Sequence, residues 1–494
     1  MGDAYFSDSL VVDFGCGTTK LGWSGQDAPA VLLPSVVGIP ASQSNVEMTS
    51  GAGAGAGAGA NTNTAAADSW WRRRHQRGSG ERYQAAPTDL PLAGMQYKPI
   101  NDASTGLITD WDAALAQYEW ALTQRLGVRL RTGVKVNGAT GVHVGPDVSM
   151  PGLSEGGDLP DSSAYPVLLV ESAYSSKADR EKWAQILFEE YDAPGIFMSR
   201  AGVLALYANA RVTGISIDVG AGGFTVTPVQ EGYPLMGGLR RSPVGGLALD
   251  EELLKAARSR GCAVRPRLPA AISRGVAASL HPSILHWHSL SIARDARESL
   301  CRVFEMNFDV IEHANVPIVS YDLPDGTALS IGPERYSVPE LLLDPTPLLT
   351  GSDSARYEGA MGIGAAFKSA AEACDIESRR DLVSNCVLTG GVSASEGIVE
   401  RLHRVLNEMS PAGTKVSIFC ISNEYVTIPS INLIPSPTPP ISQSKIAAAS
   451  GSDRVVGAFL GGSIIASLST FSDLWFSRAE YEEYGAKLVH VKLI

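Results

Sequence analysis

The chain has 494 residues, too many for one hydrophobic core, so two or more lobes are expected. Its composition, 44% hydrophobic and 19% charged, is that of a folded globular protein. The formal net charge of −12 argues against unaided, non-specific binding to nucleic acid.

Near the start, Leu10-Val11-Val12-Asp13-Phe14-Gly15-Cys16-Gly17-Thr18-Thr19-Lys20 closes a run of β-formers on a glycine turn led by an aspartate. Glycines let backbone N–H groups approach an anion closely, and a carboxylate beside them can hold hydrated Mg²⁺. From 42 to 91 the pattern dissolves. Gly51 to Ala60 alternate Gly and Ala in one copy, which reads as a flexible loop. Trp70-Trp71-Arg72-Arg73-Arg74 reads as part of the same solvated loop, although such a cluster could dock on a partner or on phosphates.

Asp110 is placed to cap a helix with apolar positions Trp111, Leu115, Tyr118, Leu122 and Leu126. Residues 137 to 164 read as an irregular surface insertion. Tyr165 to Val170 reads as a buried strand, Lys177 to Tyr191 as a helix, and a second helix runs from about Val203 to Ala210. It leads into a second aspartate turn, Gly214-Ile215-Ser216-Ile217-Asp218-Val219-Gly220-Ala221-Gly222-Gly223. Two facing copies would clamp a polyphosphate from both sides.

Arg294-Asp295-Ala296-Arg297-Glu298 lies on a charged helix, which alone reads as a solvated face. Cys386 to Thr389 leads into Gly390-Gly391, read as a helix entry, with Ile398, Leu402, Val405 and Leu406 on one face of the helix that follows. Residues 426 to 454 read as a further insertion, and Gly461-Gly462 as the opening of a late helix. The alternation of buried strands and amphipathic helices makes this an α/β protein.

Six cysteines (Cys16, Cys262, Cys301, Cys374, Cys386, Cys420) lack any C-x-x-C pair, which predicts reduced, mostly buried thiols and no structural zinc. No Walker A, His-Glu-x-x-His or G-x-S-x-G motif occurs, and the eight histidines read as structural or surface residues. The first residues lack a signal-peptide core, and Val455 to Leu468 is too short to span a membrane, so a soluble intracellular protein is expected.

Taken together these segments resemble the actin superfamily over most of the chain outside the insertions. Asp13 to Pro29 resembles its first phosphate loop and continuation. Further matches are Arg180-Glu181-Lys182, Tyr321-Asp322-Leu323-Pro324-Asp325-Gly326, Ile331-Gly332-Pro333-Glu334-Arg335-Tyr336, and Leu460 to Phe471 followed by Trp475 and Glu480-Tyr481. The resemblance implies a duplicated actin/Hsp70/hexokinase-type ATPase fold, with two lobes and four subdomains around a nucleotide cleft. Subdomain 1 would hold residues 1–34, 98–208 and 457–494, and subdomain 2 residues 35–97. Subdomain 3 would hold 209–244 and 341–456, and subdomain 4 residues 245–340.

The resemblance also implies ATP and Mg²⁺ as cofactors. Asp13 and Asp218 would stand beside the metal, Gly15, Cys16, Gly17, Gly220 and Gly222 along the phosphates, and Lys20 at the β- and γ-phosphates. Arg297 and Glu298 match the adenosine-contacting pair, and Gly390 and Gly391 the glycine pair under the nucleotide. The hydrolytic residues depart from the family pattern. Ala201 replaces the glutamine that orients the attacking water, Thr225 a nearby histidine, and Ala221 the second-loop aspartate. Hydrolysis needs a positioned water and a proton acceptor, so a pseudo-ATPase with no catalytic residues is expected, holding ATP as a wedge between the lobes.

Within the family, Tyr97-Lys98-Pro99-Ile100, Trp111-Asp112 with Glu119-Trp120-Ala121-Leu122, and Ser242-Pro243-Val244-Gly245-Gly246 resemble the nuclear actin-related protein 4 type. That subfamily implies a nuclear structural subunit of chromatin-remodelling and histone-acetyltransferase complexes. Its partners would be actin and a long helix of a scaffold subunit, with histones as further candidates. The alternative is a cytoplasmic, filament-forming actin-like ATPase. Residues 39 to 96, which replace the loop through which actin subunits meet, count against it, because a floppy loop must be ordered before it can form an interface.

Overall fold

Two β-hairpins of matching register, one in each half of the chain, organise the computed structural model. It describes residues 8–40, 83–85, 94–103, 105–136, 139–143, 161–265, 280–308, 315–351, 353–410, 414–419 and 454–493. The Gly-Ala run, the Trp70 to Arg74 cluster, Cys420 and nearly all of 426–454 lie outside the described residues.

The first sheet contains β1 (Leu10–Phe14), β2 (Thr18–Trp23) and β3 (Val31–Pro34). Hairpins β4 (Val36–Pro40) with β5 (Met95–Pro99) and β6 (Leu130–Val136) with β7 (Ala139–His143) stand apart from it. With β8 (Val167–Glu171), β9 (Gly195–Arg200) and a late strand, Phe476–Ser477, the first sheet has spatial order late strand-β9-β8-β1-β2-β3. The second sheet is built from β10 (Gly214–Val219), β11 (Phe224–Gln230), β12 (Tyr233–Pro234) and β13 (Arg240–Ser242). A separate hairpin, β14 (Val319–Asp322) with β15 (Ala328–Ile331), precedes its last members, β16 (Asn385–Thr389) and β17 (Ser417–Phe419).

In each sheet the leading strand pairs antiparallel with its successor and parallel with a distant strand, β1 with β8 and β10 with β16. The parallel pairings require crossovers, which the helices supply. Both faces of β1 are buried. Val12 joins the core under helices Trp111–Gln124 and Lys177–Gln185, and Val11 the core under helices Ala201–Ala208 and Gly457–Ala466. Helix Ala201–Ala208 runs from β9 to β10 and is packed on two sides. Leu204 joins the first sheet's core, while Leu206 meets Val229 and Val387 of the second. This is the two-lobed α/β fold expected from the sequence.

Several elements follow their local signals. The Asp110 carboxylate accepts from Ala113 N (3.0 Å), and Ser176 forms a capping box with Asp179. Leu115, Tyr118 and Leu122 are buried, while Trp111 and Leu126 pack at the edge of the same core. Other elements differ from expectation. Within the stretch 137–164, Ala139–His143 is a strand paired with β6 rather than irregular chain, while 137–138 and 144–160 lie outside the described residues. The helix from Lys177 ends at Gln185 and widens into a π turn, Ile186–Glu190.

Gly461 and Gly462 do not open a helix; they lie inside Gly457–Ala466. A Cβ at Gly461 would meet Leu204 O at 1.8 Å, so glycine there is set by the crossing with Ala201–Ala208, not by a helix start. Gly390-Gly391 likewise opens only a short 3₁₀ turn, Gly391–Ala394, and the long helix starts later at Ile398.

Candidate functional site

The two aspartate turns face one another at their tips. In the first, Asp13 pairs with Lys20 and Phe14 with Thr19, leaving Gly15 to Thr18 as the turn. In the second, Asp218 pairs with Thr225 and Val219 with Phe224, leaving Gly220 to Gly223. Each turn is closed by the same hydrogen bond, Gly15 N to Thr18 O (3.2 Å) and Gly220 N to Gly223 O (2.9 Å). A Cβ at Gly17 would lie 2.8 Å from Ala221 Cβ, and one at Gly222 2.7 Å from Cys16 Sγ. The glycines are therefore required by mutual contact of the two loops.

The charges on the two loops are arranged differently. Lys20 Nζ donates to Asp13 Oδ2 at 2.8 Å, and both side chains are largely buried. Asp218 makes no ion pair among the described residues. Desolvation, then the nearby Asp13 charge, push its carboxyl up to about 6, with Lys20 opposing. Burial also raises the Cys16 thiol, against the pull of the Arg241 guanidinium. Glu171, which also lines the cavity described below, accepts from Arg180 through Oε1 (2.9 Å), while Oε2 has no hydrogen-bond partner among the described residues. Burial raises that carboxyl.

A cavity of about 660 Å³ lies between the loops, within the range of small-molecule clefts. Its lining brings together Asp13, Gly15, Cys16, Gly17 and Lys20 with Asp218, Gly220 and Gly222. Arg297, Glu298, Gly390 and Gly391 line it as well, so all twelve residues named from the sequence meet in one place. Ala201, Ala221 and Thr225 line it too. Gly390 adopts φ of +93°, and a Cβ there would lie 2.4 Å from Asp218 Oδ1, which sets Gly390 against the second loop.

Arg297 and Glu298 play unlike parts. Arg297 is held by Asp250, Nε to Oδ1 at 2.6 Å, with a side chain only 4% exposed, whereas the Glu298 side chain is 58% exposed. Asp250, Arg294, Arg241 and Ser35 were missed by sequence reasoning. Arg294 shares Asp250 at 3.4 Å, and Arg294 and Arg241 both line the cavity. Ser35 donates through its hydroxyl to Gly15 O (2.5 Å) and through its N–H to Gly17 O (3.2 Å). Asp250 had a readable signal, a carboxylate beside Leu249 on the apolar face of helix Gly246–Ser259.

The donor set fits a hydrated divalent cation with phosphates. Two carboxylates stand at adjacent hairpin ends, one of them without an ion-pair partner and desolvated, beside two glycine turns and a lysine.

Paired hairpins in two lobes, closing on one cavity, define an actin-type protein. The pattern of the Actin family matches residues 6–494, and this chain belongs to that family, whose members bind ATP with a divalent metal. It is similar to actin-related protein 4 of Arabidopsis thaliana, 30% identical over 98% of both chains. It is also 27% identical to the actin-related protein 4 of Oryza sativa subsp. indica and of subsp. japonica, again over 98% of each chain.

Proposed function

We propose that this chain binds MgATP as a structural ligand, hydrolyses it very slowly, and serves as a nuclear subunit of chromatin-remodelling or histone-acetyltransferase assemblies. The observation that carries the nucleotide reading is the pair of facing turns in matching register. Asp13 and Asp218 would hold the hydrated metal, which supplies charge neutralisation for the phosphates when bound. Lys20 and the amides of both turns would receive the phosphates, while Arg297, Glu298, Gly390 and Gly391 would border the adenosine. Slow hydrolysis is supported by Ala201, Ala221 and Thr225, which line the cavity. An alanine side chain has neither donor nor acceptor with which to orient a water.

The nuclear assembly role is supported by likeness to actin-related protein 4 and by exposed apolar side chains beside helix Ala201–Ala208. Tyr233 is 57% and Val212 42% exposed, brought side by side by the Gly232 N to Val212 O bond (2.7 Å). Such a surface suits the apolar face of a partner helix. Gentle affinity purification of the tagged chain followed by mass spectrometry tests this role. Recovery of actin with a remodelling ATPase or acetyltransferase scaffold is expected; recovery alone, or with cytoskeletal proteins, would contradict it.

A further inference from the structure

Helix Gly246–Ser259 begins directly on the second aspartate turn: the Gly246 N–H donates to Gly220 O (3.0 Å) and the Leu247 N–H to Ala221 O (2.8 Å). One stripe of this helix, Leu253, Leu254 and Ala257, is buried with Leu290, Ala293 and Ala296 of helix Pro282–Leu300. Asp250 falls on the same stripe by helical spacing and is wholly buried. A carboxylate in an apolar helix contact is costly unless it is paired. Here both oxygens are used, Oδ1 by Arg297 Nε at 2.6 Å and Oδ2 by Arg294 Nε at 3.4 Å.

The pairing fixes where the Arg297 guanidinium points. Its Nε is held by Asp250, its Nη2 lies 3.4 Å from Glu298 Oε1, and a Cβ at Gly246 would lie 3.7 Å from that same Nη2. Asp250 stands one helical turn beyond the two amides bonded to the second aspartate turn. The separation between that turn and the guanidinium is therefore set by one helix rather than by loops. The pairing also settles the charge. Arg294 and Arg297 meet Asp250 and Glu298, so this part of the cavity has directional N–H donors and little net attraction for a further anion. Such a lining suits an uncharged sugar and base better than a phosphate.

Building on the MgATP reading above, we propose that Asp250 is the positioning residue for the nucleoside end of the cavity. It holds the Arg297 and Arg294 guanidinium groups at a set distance from the second turn to receive the sugar and base, and so makes the site prefer a nucleoside triphosphate to triphosphate alone. Arg297 and Arg294 line the cavity, whereas Asp250 is not among its lining residues and acts only through them.

The test uses the full chain with Mg²⁺ and two ligands: the fluorescent probe etheno-ATP, and tripolyphosphate, which carries the phosphates without a nucleoside and is read by displacement of the probe. Asp250→Asn keeps the side chain's size and removes its charge; it is expected to weaken etheno-ATP binding at least about tenfold and to move tripolyphosphate binding less than about twofold. An equal loss for both ligands would make Asp250 a structural residue only and overturn the proposal, as would an unchanged affinity for etheno-ATP. Should Asp250→Asn fail to fold, Arg294→Ala replaces it, since that side chain is 34% exposed. About fivefold weaker etheno-ATP binding with tripolyphosphate unchanged is then expected, and no loss, or an equal loss for both, overturns the proposal. Wild-type chain that binds both ligands equally well overturns the nucleoside role while leaving the phosphate site standing. Wild-type chain that binds neither contradicts the MgATP reading, and the positioning role falls with it.

Discussion

The two halves of the molecule carry an aspartate on the same kind of strand, in matching register, before a four-residue turn, and treat it in opposite ways. In the first half the cross-strand partner of Asp13 is Lys20, which neutralises it at 2.8 Å. In the second half the partner of Asp218 is Thr225, and the carboxyl, desolvated beside Asp13, is pushed up to about 6. The first carboxylate has a lysine beside it, whereas the second has no ion-pair partner among the described residues. Such an asymmetry fits a site that takes its metal and phosphates together.

The largest expected effect comes from the point where the two hairpins touch. Gly222→Val places its side chain against Cys16 Sγ and Ala103 O, which a Cβ alone would approach to 2.7 and 2.9 Å. Etheno-ATP affinity is expected to fall more than about a hundredfold, or about 2.7 kcal/mol at 1.36 kcal/mol per decade. Gly220→Ala is the control, because a Cβ there meets only Gly223 O at 3.5 Å. Equal effects of the two substitutions would show that the loops are not in contact.

Neutralising each aspartate should give opposite signs of stability change without nucleotide. Asp13→Asn leaves Lys20 buried and unpaired and is expected to cost about 3 kcal/mol in denaturant unfolding. Asp218→Asn removes a desolvated charge and is expected to leave the nucleotide-free protein as stable or more so, while abolishing Mg²⁺-dependent binding. The pH dependence follows the same sign. A carboxyl whose folded pKa is raised contributes stability that is full below its ordinary value of 3.8 and is lost as pH rises through about 6. Comparing unfolding curves of wild type and Asp218→Asn between pH 4 and 7 isolates that contribution by difference, and the variant should lose stability less steeply as pH rises.

Thr225→Lys copies the first hairpin's pairing into the second. It should stabilise the nucleotide-free chain modestly and weaken Mg²⁺-dependent etheno-ATP binding about tenfold, because the lysine competes with the metal for Asp218. Unchanged metal dependence would mean that Asp218 is not the cation's ligand. The smallest effect is expected at Cys16, whose thiol burial holds up and out of the reactive range. Alkylation of Cys16 at pH 7.5, followed by peptide mass spectrometry, should be slow and slower still with nucleotide present.

Both aspartate turns were legible in the sequence because their information is local. A run of β-formers, an aspartate and spaced glycines carry the register with them. Less legible was whatever depends on packing between distant segments. Gly461 reads as a helix opening until Leu204 O is seen beneath it. Arg297 and Glu298 are adjacent in sequence, yet only the fold shows one held by Asp250 and the other facing solvent. The contact of Tyr97 with Ser283 and Trp287 joins segments 186 residues apart, and neither segment carries a periodic signal for the other. Trp70 to Arg74, prominent in the sequence, falls outside the described residues.

The central claim is that the facing hairpins retain ATP without turning it over. It is tested most directly by denaturing gently purified full-length chain and quantifying the released nucleotide by chromatography, with and without prior EDTA treatment. The account predicts close to one ATP per chain with little ADP, lost after the metal is chelated. Protein that carries no nucleotide, or that carries ADP and releases phosphate continuously when given ATP, would contradict it.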